Sequence, residues 1–491
     1  MDTQRDDRSV GQDIKDSHFS PADFGRFQAA LERETESLRA GFRAGDFASS
    51  HPRAGYELET WLVDGDFNPC PCNDRFLEAL DEPLSKLIVP ELARFNIELN
   101  APPWELRGDV LTRLYDGLAD TWRRASCTAA GLDTMLVMIG ILPTVQRSQL
   151  SLASMSDRDR YRALNEQVFL MRGGEPVHLH IQGEETLDMR HDDVMLESAA
   201  TSLQVHIQVD QERAAAYYNA AQVLAAPIVA ATGNSPFLFG KDLWTETRVP
   251  LFEQAVNTRN RRDDRYRTPA RVTFGHRYVQ QSLLELFNEN LDRFPVLLPF
   301  CAEDSGQPLY HLRLHNGTIW RWNRPLIGVD PDGTMHLRIE HRVIGAGPTV
   351  LDTIANAALF WGLVHALGED ERDWRDELGF AEARDNFYRC ARLGLDADVH
   401  WLQGRSGPVR ALLTQTLLPA ARRGLRAFDV DDADVERFIS IVERRVERGR
   451  TGARWQRDYV RRHGRDMQAL TRDYWRQQES GHCVADWEWP C

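Results

Sequence analysis

Residues 336–343 read His-Leu-Arg-Ile-Glu-His-Arg-Val, and their side chains alternate with the two-residue period of a β-strand. Arg338, Glu340 and Arg342 share one face of that strand, and the apolar side chains share the other face with His341. A carboxylate between two guanidinium groups is costly to bury unless further charged groups satisfy all three. A metal ion on Glu340 and phosphate oxygens on the arginines would do so, which indicates an enzyme that handles Mg²⁺ and a nucleotide.

Three other stretches repeat this pattern of a polar face opposite an apolar one. Their polar faces carry Glu57 and Glu59 in the first stretch, Asn96, Glu98 and Asn100 in the second, and Gln204, His206 and Gln208 in the third. A single strand of this kind is most simply an amphipathic edge strand whose polar face meets water. Four such strands favour a shared cavity instead, in which several Mg²⁺ ions bridge carboxylates and phosphates.

Composition limits the class of protein. The chain has 491 residues, 42% of them hydrophobic, which suits two or three domains or one large sheet with helical additions. The formal net charge of −15 argues against sequence-independent binding of nucleic acid. The only lysines are Lys15, Lys86 and Lys241, and no glycine-rich loop ends in Gly-Lys-Ser/Thr, so phosphate contacts are expected from arginine.

Cysteine usage and the N-terminal sequence point to the compartment. The seven cysteines are scattered, and Cys70 and Cys72 lack a second pair that would complete a zinc site. Free thiols in a reducing cytoplasm are the simplest explanation. The first residues are polar and lack the apolar segment of a signal peptide, and no apolar run approaches membrane-spanning length. We therefore expect a cytoplasmic protein with no membrane partner.

Hydrophobic periodicity and turn residues predict the remaining elements. The predictions are a disordered tail over 1–20, helices over 21–45, 75–88, 108–131, 157–172, 211–230, 249–259 and 351–367, a buried strand over 133–143, a β-rich segment over 310–343 and a helical region over 370–475. Asn316-Gly317 and Asp332-Gly333 are hairpin signals within the β-rich segment. Thr349 is the expected cap of the helix over 351–367.

A second possible metal site lies in the stretch 177–182. It alternates as a strand and places His178 and His180 on one face, where two imidazoles could bind a metal ion. Gly173, Gly174 and Gly183 flank the stretch and favour a mobile flap instead.

Five motifs follow one another along the chain in a fixed order. They are Gly-x-Glu-x-Glu at 55–59, Glu-Leu-Asn at 98–100, Thr-Ser-Leu-Gln-Val-His-Ile-Gln at 201–208, Gly-Asn-Ser-Pro-Phe at 233–237 with Glu-Thr-Arg at 246–248, and Arg-Ile-Glu-His-Arg at 338–342. In this order and spacing the chain resembles glutamate–cysteine ligase family 2, a group of carboxylate–amine ligases related in fold to glutamine synthetase. The resemblance covers roughly residues 50–365.

The resemblance implies an α+β fold. Its centre would be a curved antiparallel β-sheet forming a funnel of the glutamine synthetase and glutamate–cysteine ligase type, surrounded by helices. Residues 21–368 would then form the catalytic domain, and residues 369–491 a helical C-terminal region packed on it.

The resemblance also implies the reaction. In such ligases, which depend on ATP and Mg²⁺, a substrate carboxylate attacks the γ-phosphate of ATP, and an amine then captures the acyl phosphate. Glutamate and cysteine, and with them a γ-glutamyl product and a place in glutathione biosynthesis, come from the family name alone. One alternative is a catalytically silent nucleotide- and metal-binding scaffold, and another is a hydrolase or kinase. The sequence does not fix the oligomeric state.

The site residues are carried over motif by motif. The implied metal ligands are Glu57, Glu59, Glu98, His206 and Glu340; the implied phosphoryl-stabilising residues are Arg342 and Arg338, with Glu340; and the implied substrate-binding residues are Arg248, Gln204, Asn234 and Ser235. Three assignments stay open. Either Gln204 or His206 could face the metal. Arg248 could instead form an ion pair with Glu246 or Glu253. Glu105 could be a further ligand or a surface residue.

Overall fold

The computed structural model describes residues 18–49, 51–259, 269–301, 307–330 and 332–490. Of the predicted tail over 1–20, residues 1–17 lie outside this range. The strands are β1 (Arg53–Val63), β2 (Ile88–Pro90), β3 (Asn96–Asn100), β4 (Trp104–Glu105), β5 (Met135–Val137), β6 (Val177–Gln182), β7 (Thr186–His191), β8 (Ser202–Val209), β9 (Phe237–Leu238), β10 (Lys241–Asp242), β11 (Asn323–Val329), β12 (Met335–Gly345), β13 (Asp398–Trp401) and β14 (Arg405–Pro408).

Helices make up about half of the structure. They are α1 (Pro21–Ala44), α2 (Asn73–Glu78), α3 (Leu84–Leu87), α4 (Val110–Ala130), α5 (Asp159–Met171), α6 (Ala214–Thr232), α7 (Arg248–Ala255), α8 (Leu284–Arg293), α9 (Tyr310–Gly317), α10 (Val350–Gly368), α11 (Phe380–Leu393), α12 (Val409–Leu412), α13 (Leu418–Ala427), α14 (Asp432–Arg448), α15 (Gly452–His463) and α16 (Met467–Glu479), with a π-helical segment over Leu413–Leu417.

One antiparallel sheet organises the molecule. Eight strands form it in the order β11-β12-β8-β1-β3-β2, with β4 and β5 paired to opposite ends of β1. The sheet curls into a half-barrel, which confirms the predicted curved antiparallel sheet with surrounding helices. The four strands with polar faces, β12, β8, β1 and β3, are consecutive neighbours. Their polar side chains therefore lie side by side, as the sequence pattern predicts.

The apolar face of the sheet packs on two long helices, α6 and α10. Leu203, Val205 and Ile207 of β8 are fully buried there, and the indole Nε1 of Trp361 on α10 donates a 3.0 Å hydrogen bond to the carbonyl oxygen of His206. By length and composition alone, both helices could cross a membrane, and both are mostly buried inside the protein. Their apolar character is explained by this position under the sheet.

Several sequence predictions need correction. The residues around Asn316-Gly317, predicted as a hairpin, end helix α9. The apolar run 133–143 forms a strand only over Met135–Val137. Its continuation is a buried loop, because Thr201 donates to the carbonyl oxygens of Ile139 and Gly140 in place of a neighbouring strand. The predicted hairpin at Asp332-Gly333 joins β11 to β12 and is confirmed.

The C-terminal helices pack against the body of the protein. Arg445 on α14 and Asp352 on α10 form a buried ion pair with 2.6 Å between Nη2 and Oδ1. The hydroxyl of Tyr474 on α16 donates to the carbonyl oxygen of Met138 at 2.9 Å. The region predicted as helical also contains the β13–β14 hairpin. The boundary proposed at residue 368 stays a prediction.

Cysteine residues form no disulfide within the described part of the chain. The six cysteines there are free thiols, and the Sγ atoms of Cys70 and Cys72 lie 3.3 Å apart.

Candidate active site

The register of the sheet brings the polar side chains of four strands together. Glu340 lies opposite His206, and Arg338 lies opposite Gln208, across the β12–β8 pair. On β1, Glu57 lies opposite Gln204 of β8, and Glu59 lies opposite Glu98 of β3. We call this surface the polar floor and define it by Glu57, Glu59, Glu98, Gln204, His206, Arg324, Arg338, Glu340 and Arg342.

The first group of possible metal ligands on the polar floor is formed by Glu57, His206 and Glu340. One ligand atom of each lies within 4.8 Å of the others. The Nε2 atom of His206 is 3.5 Å from Oε1 of Glu57 and 3.9 Å from Oε1 of Glu340. Among the described residues, neither ring nitrogen of His206 has a hydrogen-bond partner, and neither does Oε2 of Glu57. Buried polar atoms without partners are costly, and a cation at this point would satisfy them.

A second group combines Glu59, Glu91 and Glu98, whose ligand atoms also lie within 4.8 Å of one another. Glu59 is held in place by the backbone N–H of Ser202 at 2.7 Å and by the side-chain amide of Gln204 at 3.0 Å. Three carboxylates so close together repel one another unless cations or protons are present. Oxygen ligands of this kind suit Mg²⁺, so this group, and the two carboxylates of the first group, fit the ion that the resemblance implies.

Arginines offset the charge of Glu340. Arg324 on β11 forms a two-pronged ion pair with it, Nε to Oε2 and Nη2 to Oε1, both at 2.9 Å. Arg342 donates from Nη1 to Oε2 of Glu340 at 2.9 Å and also to Oε1 of Gln204. Gln204 therefore links Arg342 to Glu59. Arg338 lies on the same face, and its Nε has no hydrogen-bond partner in the part of the chain that the structure describes.

A β-bulge sets the position of Arg342. His341 lies opposite Val205 and Ile344 lies opposite Leu203, so β12 has one extra residue between them. The backbone N–H of Arg342 bonds to the carbonyl oxygen of Trp322, which immediately precedes β11. Bulges commonly re-aim a side chain next to an active site.

Burial and mutual repulsion shift the pKa values of the floor carboxyls upward. Burial, and then the charge of Glu340, raise the pKa of Glu57 to about 7. Burial and Glu91 raise the pKa of Glu59 to about 7, and burial raises the pKa of Glu98 well above its usual range. Burial and repulsion thus favour the protonated form of these carboxyls, and a bound cation would favour the charged form.

Glu340 and His206 shift in the opposite direction. Burial alone would raise the pKa of Glu340, but Arg324 and Arg342 outweigh it and hold the pKa well below its usual range. Burial lowers the pKa of His206 to about 3. At neutral pH this imidazole is uncharged and offers a lone pair, which is the form that binds metal ions.

A cavity of about 240 Å³ lies over the polar floor. Its charged and polar side includes Glu59, Glu98, Gln204, Arg324, Arg338 and Arg342. Its opposite side is apolar and aromatic, with Tyr161, Leu164, Phe287, Leu298, Tyr310 and Trp320. A mainly apolar cavity with a few convergent charged groups is typical of small-molecule sites.

The comparison with known families bears directly on this arrangement. A model of the family described as glutamate–cysteine ligase family 2 matches residues 53–478, which is most of the chain and includes all four polar strands. The chain belongs to glutamate–cysteine ligase family 2. The resemblance stated from the sequence motifs is thereby confirmed.

Solved structures were also compared with this family member, and the first of them agrees with its fold. Glutamate–cysteine ligase from Francisella tularensis, in complex with AMP, is similar with a TM-score of 0.51 and 12% identity, over 89% of this chain and 90% of that chain. A bifunctional glutathione synthetase from Pasteurella multocida has a TM-score of 0.49 and 12% identity over 91% of this chain, which spans 55% of that enzyme's length. No curated protein matches the sequence. Family and fold together support a carboxylate–amine ligase.

Three predicted substrate residues of this family member lie outside the cavity. Asn234, Ser235 and Arg248 are buried with Glu246, and these four residues define the Glu246 cluster. Glu246 accepts from the backbone N–H of Asn234 at 2.9 Å, from the hydroxyl of Ser235 at 2.6 Å and from Nη1 of Arg248 at 3.3 Å. The guanidinium of Arg248 also donates to the carbonyl oxygens of Arg342 and Val343 at 3.4 Å.

The Glu246 cluster therefore supports β12, the strand that carries Arg342, through hydrogen bonds to its backbone. Of the two ion pairs left open for Arg248, the structure contains the one with Glu246. Glu253 instead accepts from Nε1 of Trp322 at 2.9 Å and from the hydroxyl of Tyr388 at 2.7 Å. Substrate contact by Asn234, Ser235 and Arg248 stays a prediction.

The two other open possibilities are separate from the polar floor. His178 and His180 both lie 3.0 Å or less from the carboxylate of Asp188 on the partner strand of an exposed hairpin, with 2.8 Å from Nε2 of His178 and 3.0 Å from Nδ1 of His180. Glu105 pairs with Arg107 at 2.6 Å and is partly exposed.

Sequence reasoning missed three residues of the site. Arg324 could have been found from the hairpin at Asp332-Gly333, because a register that pairs residue 329 with residue 335 also pairs residue 324 with residue 340. Glu91 and Glu197 gave no such signal, since neither lies in an alternating stretch. Glu197 lines the cavity, and burial, with Glu91 and Glu59 nearby, raises its pKa to about 8.

Proposed function

We propose that this protein is an ATP- and Mg²⁺-dependent carboxylate–amine ligase that forms an amide bond through an acyl phosphate, most simply a γ-glutamyl amide as in glutamate–cysteine ligation. The observation that carries the proposal is the polar floor itself. It gathers carboxylates with raised pKa values, one neutral imidazole with no partner and three arginines beside a cavity. This chemistry calls for bound cations and a polyanionic substrate.

The two carboxylate groups are the candidate holders of Mg²⁺. Glu57, His206 and Glu340 would hold one ion, and Glu59, Glu91 and Glu98 would hold another. Bound there, Mg²⁺ would offset the negative charge of the phosphates and of the carboxylates at once. The raised pKa values of Glu57 and Glu59 mean that these ligands lose their protons when the ion binds.

The arginines of the floor would act on the phosphoryl group in transfer. An oxygen of the substrate carboxylate attacks the γ-phosphorus as the bond to ADP breaks, and Arg342 and Arg338 would stabilise the charge that spreads over the phosphoryl oxygens. The amine nitrogen then attacks the acyl carbon, phosphate leaves, and the amine loses a proton. Gln204 would keep Arg342 in position, since it accepts from that guanidinium and donates to Glu59.

The wider setting follows from the same proposal. The substrates would be small molecules, a carboxylate such as glutamate and an amine such as cysteine, and the product would serve glutathione biosynthesis in the cytoplasm. The net charge of −15 argues against a nucleic-acid partner.

The test is ADP release from the purified protein with Mg-ATP and L-glutamate, with and without a panel of amines that includes L-cysteine. Release that requires one acid and one amine would establish a ligase and name its substrates. ADP or phosphate release that is indifferent to the amine would point to a hydrolase or kinase. Silence across the panel, with tight Mg-ATP binding by calorimetry, would favour the scaffold.

Matched variants sharpen this test. Glu340→Gln removes the charge at the centre of the floor and should lower the rate of ADP release by about 10³-fold. Glu105→Gln makes the same chemical change at the partly exposed ion pair with Arg107 and should leave the rate within about twofold.

A further inference from the structure

A second cavity lies far along the chain from the polar floor. Its volume is about 700 Å³, and it is bordered by the end of α14, the start of α15, the end of α11 and Trp489, near the C-terminus. Six arginines and four carboxylates line it. An excess of positive charge in a concave site is unexpected on a chain with a net charge of −15.

Four of the six arginines have carboxylate partners. Arg448 pairs with Asp486 at 2.8 Å, Arg457 pairs with Asp242 at 2.8 Å, and Arg454 and Arg461 share Asp458 at 3.0 and 2.5 Å. Arg454 also lies 3.8 Å from Asp396, so each of these four arginines has at least one carboxylate partner within the protein.

The other two arginines, Arg410 and Arg450, have no carboxylate partner among the described residues. The guanidinium of Arg450 lies 4.9 Å from the ring centre of Trp489 and donates to the carbonyl oxygen of Ala485 at 3.0 Å. Arg410 is half-buried, and its Nε is buried without any hydrogen-bond partner in the described chain. Partly buried guanidinium groups without an anion are costly to the folded state.

Backbone geometry at Gly449 leaves room for the guanidinium of Arg410. Gly449 ends α14 with a φ of 65°, and a Cβ at that residue would collide with Nη2 of Arg410. The glycine thus serves both the left-handed turn and the close approach of the guanidinium. The carbonyl oxygens of residues 445 and 446, in the last turn of α14, accept from the backbone N–H groups of residues 450 and 449. These two oxygens are therefore not acceptors that the arginines of the cavity are needed to satisfy.

We propose that this cavity binds an organic phosphate, with the phosphoryl group held by Arg410 and Arg450. Guanidinium groups match phosphate oxygens in geometry and charge. The neighbouring wall offers Trp489 and the exposed side chain of Leu393 to the organic part of the ligand. The volume exceeds what a single inorganic phosphate needs, which favours the larger molecule. This site is independent of the proposed ligase activity.

The cavity is also connected to the polar floor through the protein. Arg457 bonds to Asp242, Thr245 and the carbonyl oxygen of Leu243. The next residue along that segment is Glu246, whose partner Arg248 donates to the backbone of β12 at Arg342. A ligand in the cavity therefore lies one short segment away from the strand that carries a floor arginine.

The experiment is calorimetric titration of the full chain, in EDTA, with pyrophosphate and separately with glucose 6-phosphate. The wild type should bind at least one of them saturably and one to one, and Arg410→Gln and Arg450→Gln should each weaken that binding at least tenfold. Stronger binding of glucose 6-phosphate would show that the wall formed by Trp489 and Leu393 takes part in binding. Binding of pyrophosphate without binding of glucose 6-phosphate would overturn the organic part of the proposal and leave recognition to the phosphoryl charge alone.

Arg405→Gln is the matched control, since it removes the same charge five residues before Arg410 and does not line the cavity. It should bind as the wild type does. A melting curve for each variant establishes that it is folded, and two separate variants guard against the failure of one. Absence of saturable binding to the wild type, or equal binding by Arg410→Gln and Arg450→Gln, would overturn the proposal, because any binding would then belong elsewhere.

Discussion

The polar floor and the Glu246 cluster are two buried groups of charged side chains that meet at the same strand, and they differ in how fully their atoms are satisfied. In the Glu246 cluster both carboxylate oxygens have donors. On the polar floor, His206 has no hydrogen-bond partner and Glu57 has a free oxygen within the described chain. Both groups stand out equally as sequence motifs. The Nε of Arg248 in the Glu246 cluster also lacks a partner among the described residues. The unsatisfied carboxylate and imidazole atoms, rather than burial or charge, therefore distinguish the candidate ligand site from the structural support.

The sharpest way to break this comparison is Arg342→Lys. Lysine keeps the charge but cannot make the planar contacts of a guanidinium with Glu340, Gln204 and a phosphoryl group. We expect turnover to fall by about 10³-fold while the melting temperature changes little. Steady-state ADP release and a melting curve measure both. Turnover near that of the wild type would remove Arg342 from the phosphoryl role.

Glu57→Gln tests the unsatisfied side of the comparison. The change should leave the stability of the metal-free protein unchanged or slightly higher, since the carboxyl is buried with a free oxygen and its pKa is raised to about 7. Turnover should fall by about 10²–10³-fold because a metal ligand is lost. Chemical denaturation in EDTA and kinetics at varied Mg²⁺ are the measurements. Strong destabilisation with full activity would make Glu57 structural.

Glu246→Gln tests the satisfied side. Removing the charge leaves Arg248 buried without its carboxylate, so we expect the free energy of unfolding to fall by about 3 kcal/mol. The rate per folded molecule should change far less than in Arg342→Lys. Urea denaturation gives the first value, and kinetics well below the melting temperature give the second. An unchanged free energy of unfolding would show that the ion pair contributes nothing to stability.

Glu253→Gln tests a buried carboxyl that is satisfied less fully than Glu246, because both of its donors bond to the same oxygen, Oε1. Burial raises its pKa to about 7, so the folded state holds the proton more tightly than the unfolded state does. The resulting stabilisation is complete below the unfolded pKa and is lost as the pH rises through about 7. Glutamine keeps the acceptor Oε1 and should remove that loss, which is at most about 3 kcal/mol.

The measurement is denaturation of both proteins from pH 5 to pH 8. The free energy of unfolding of the variant should increase relative to that of the wild type as the pH rises. Parallel curves would mean that Glu253 titrates with an ordinary pKa.

Ser235→Ala carries the smallest expected effect. Loss of its 2.6 Å hydrogen bond to Glu246 should cost about 1 kcal/mol of stability and leave the KM for the carboxylate substrate within about twofold. Both stability and KM are measured, because a structural role for Ser235 predicts a loss of stability with little change in KM, and a substrate-binding role predicts the reverse. A raised KM without loss of stability would move Ser235 from the Glu246 cluster to the substrate site.

Much of the site follows from strand periodicity. The alternation of polar and apolar residues assigned the floor residues of β1, β3, β8 and β12 to one face each, and the sheet order confirms that these strands are neighbours. A buried charged group is stable only beside groups that offset its charge, so several neighbouring strands carry charged residues on the same face. This is why the pattern can be recognised in the sequence. Arg324 was equally accessible through the register of its hairpin.

Other features depend on tertiary contacts that leave no periodic trace. Asn316-Gly317 ends helix α9, and a glycine at a helix end has the same local signature as a glycine in a hairpin turn. Glu91 and Glu197 reach the cavity from outside the alternating stretches. The satisfied state of the Glu246 cluster depends on residues from separate segments, such as Tyr474, which bonds to Asn234.

The order of the strands also sets the order in which the site can come into being during synthesis. β1 and β3 supply three of the four floor carboxylates and β8 supplies Gln204 and His206, and all three strands have been synthesised by residue 209. The arginines that offset Glu340 and border the same floor come from β11 and β12, more than one hundred residues later. Until then the growing chain contains the acidic half of the floor alone. The central sheet is complete only when the hairpin of β11 and β12 pairs with the edge of β8.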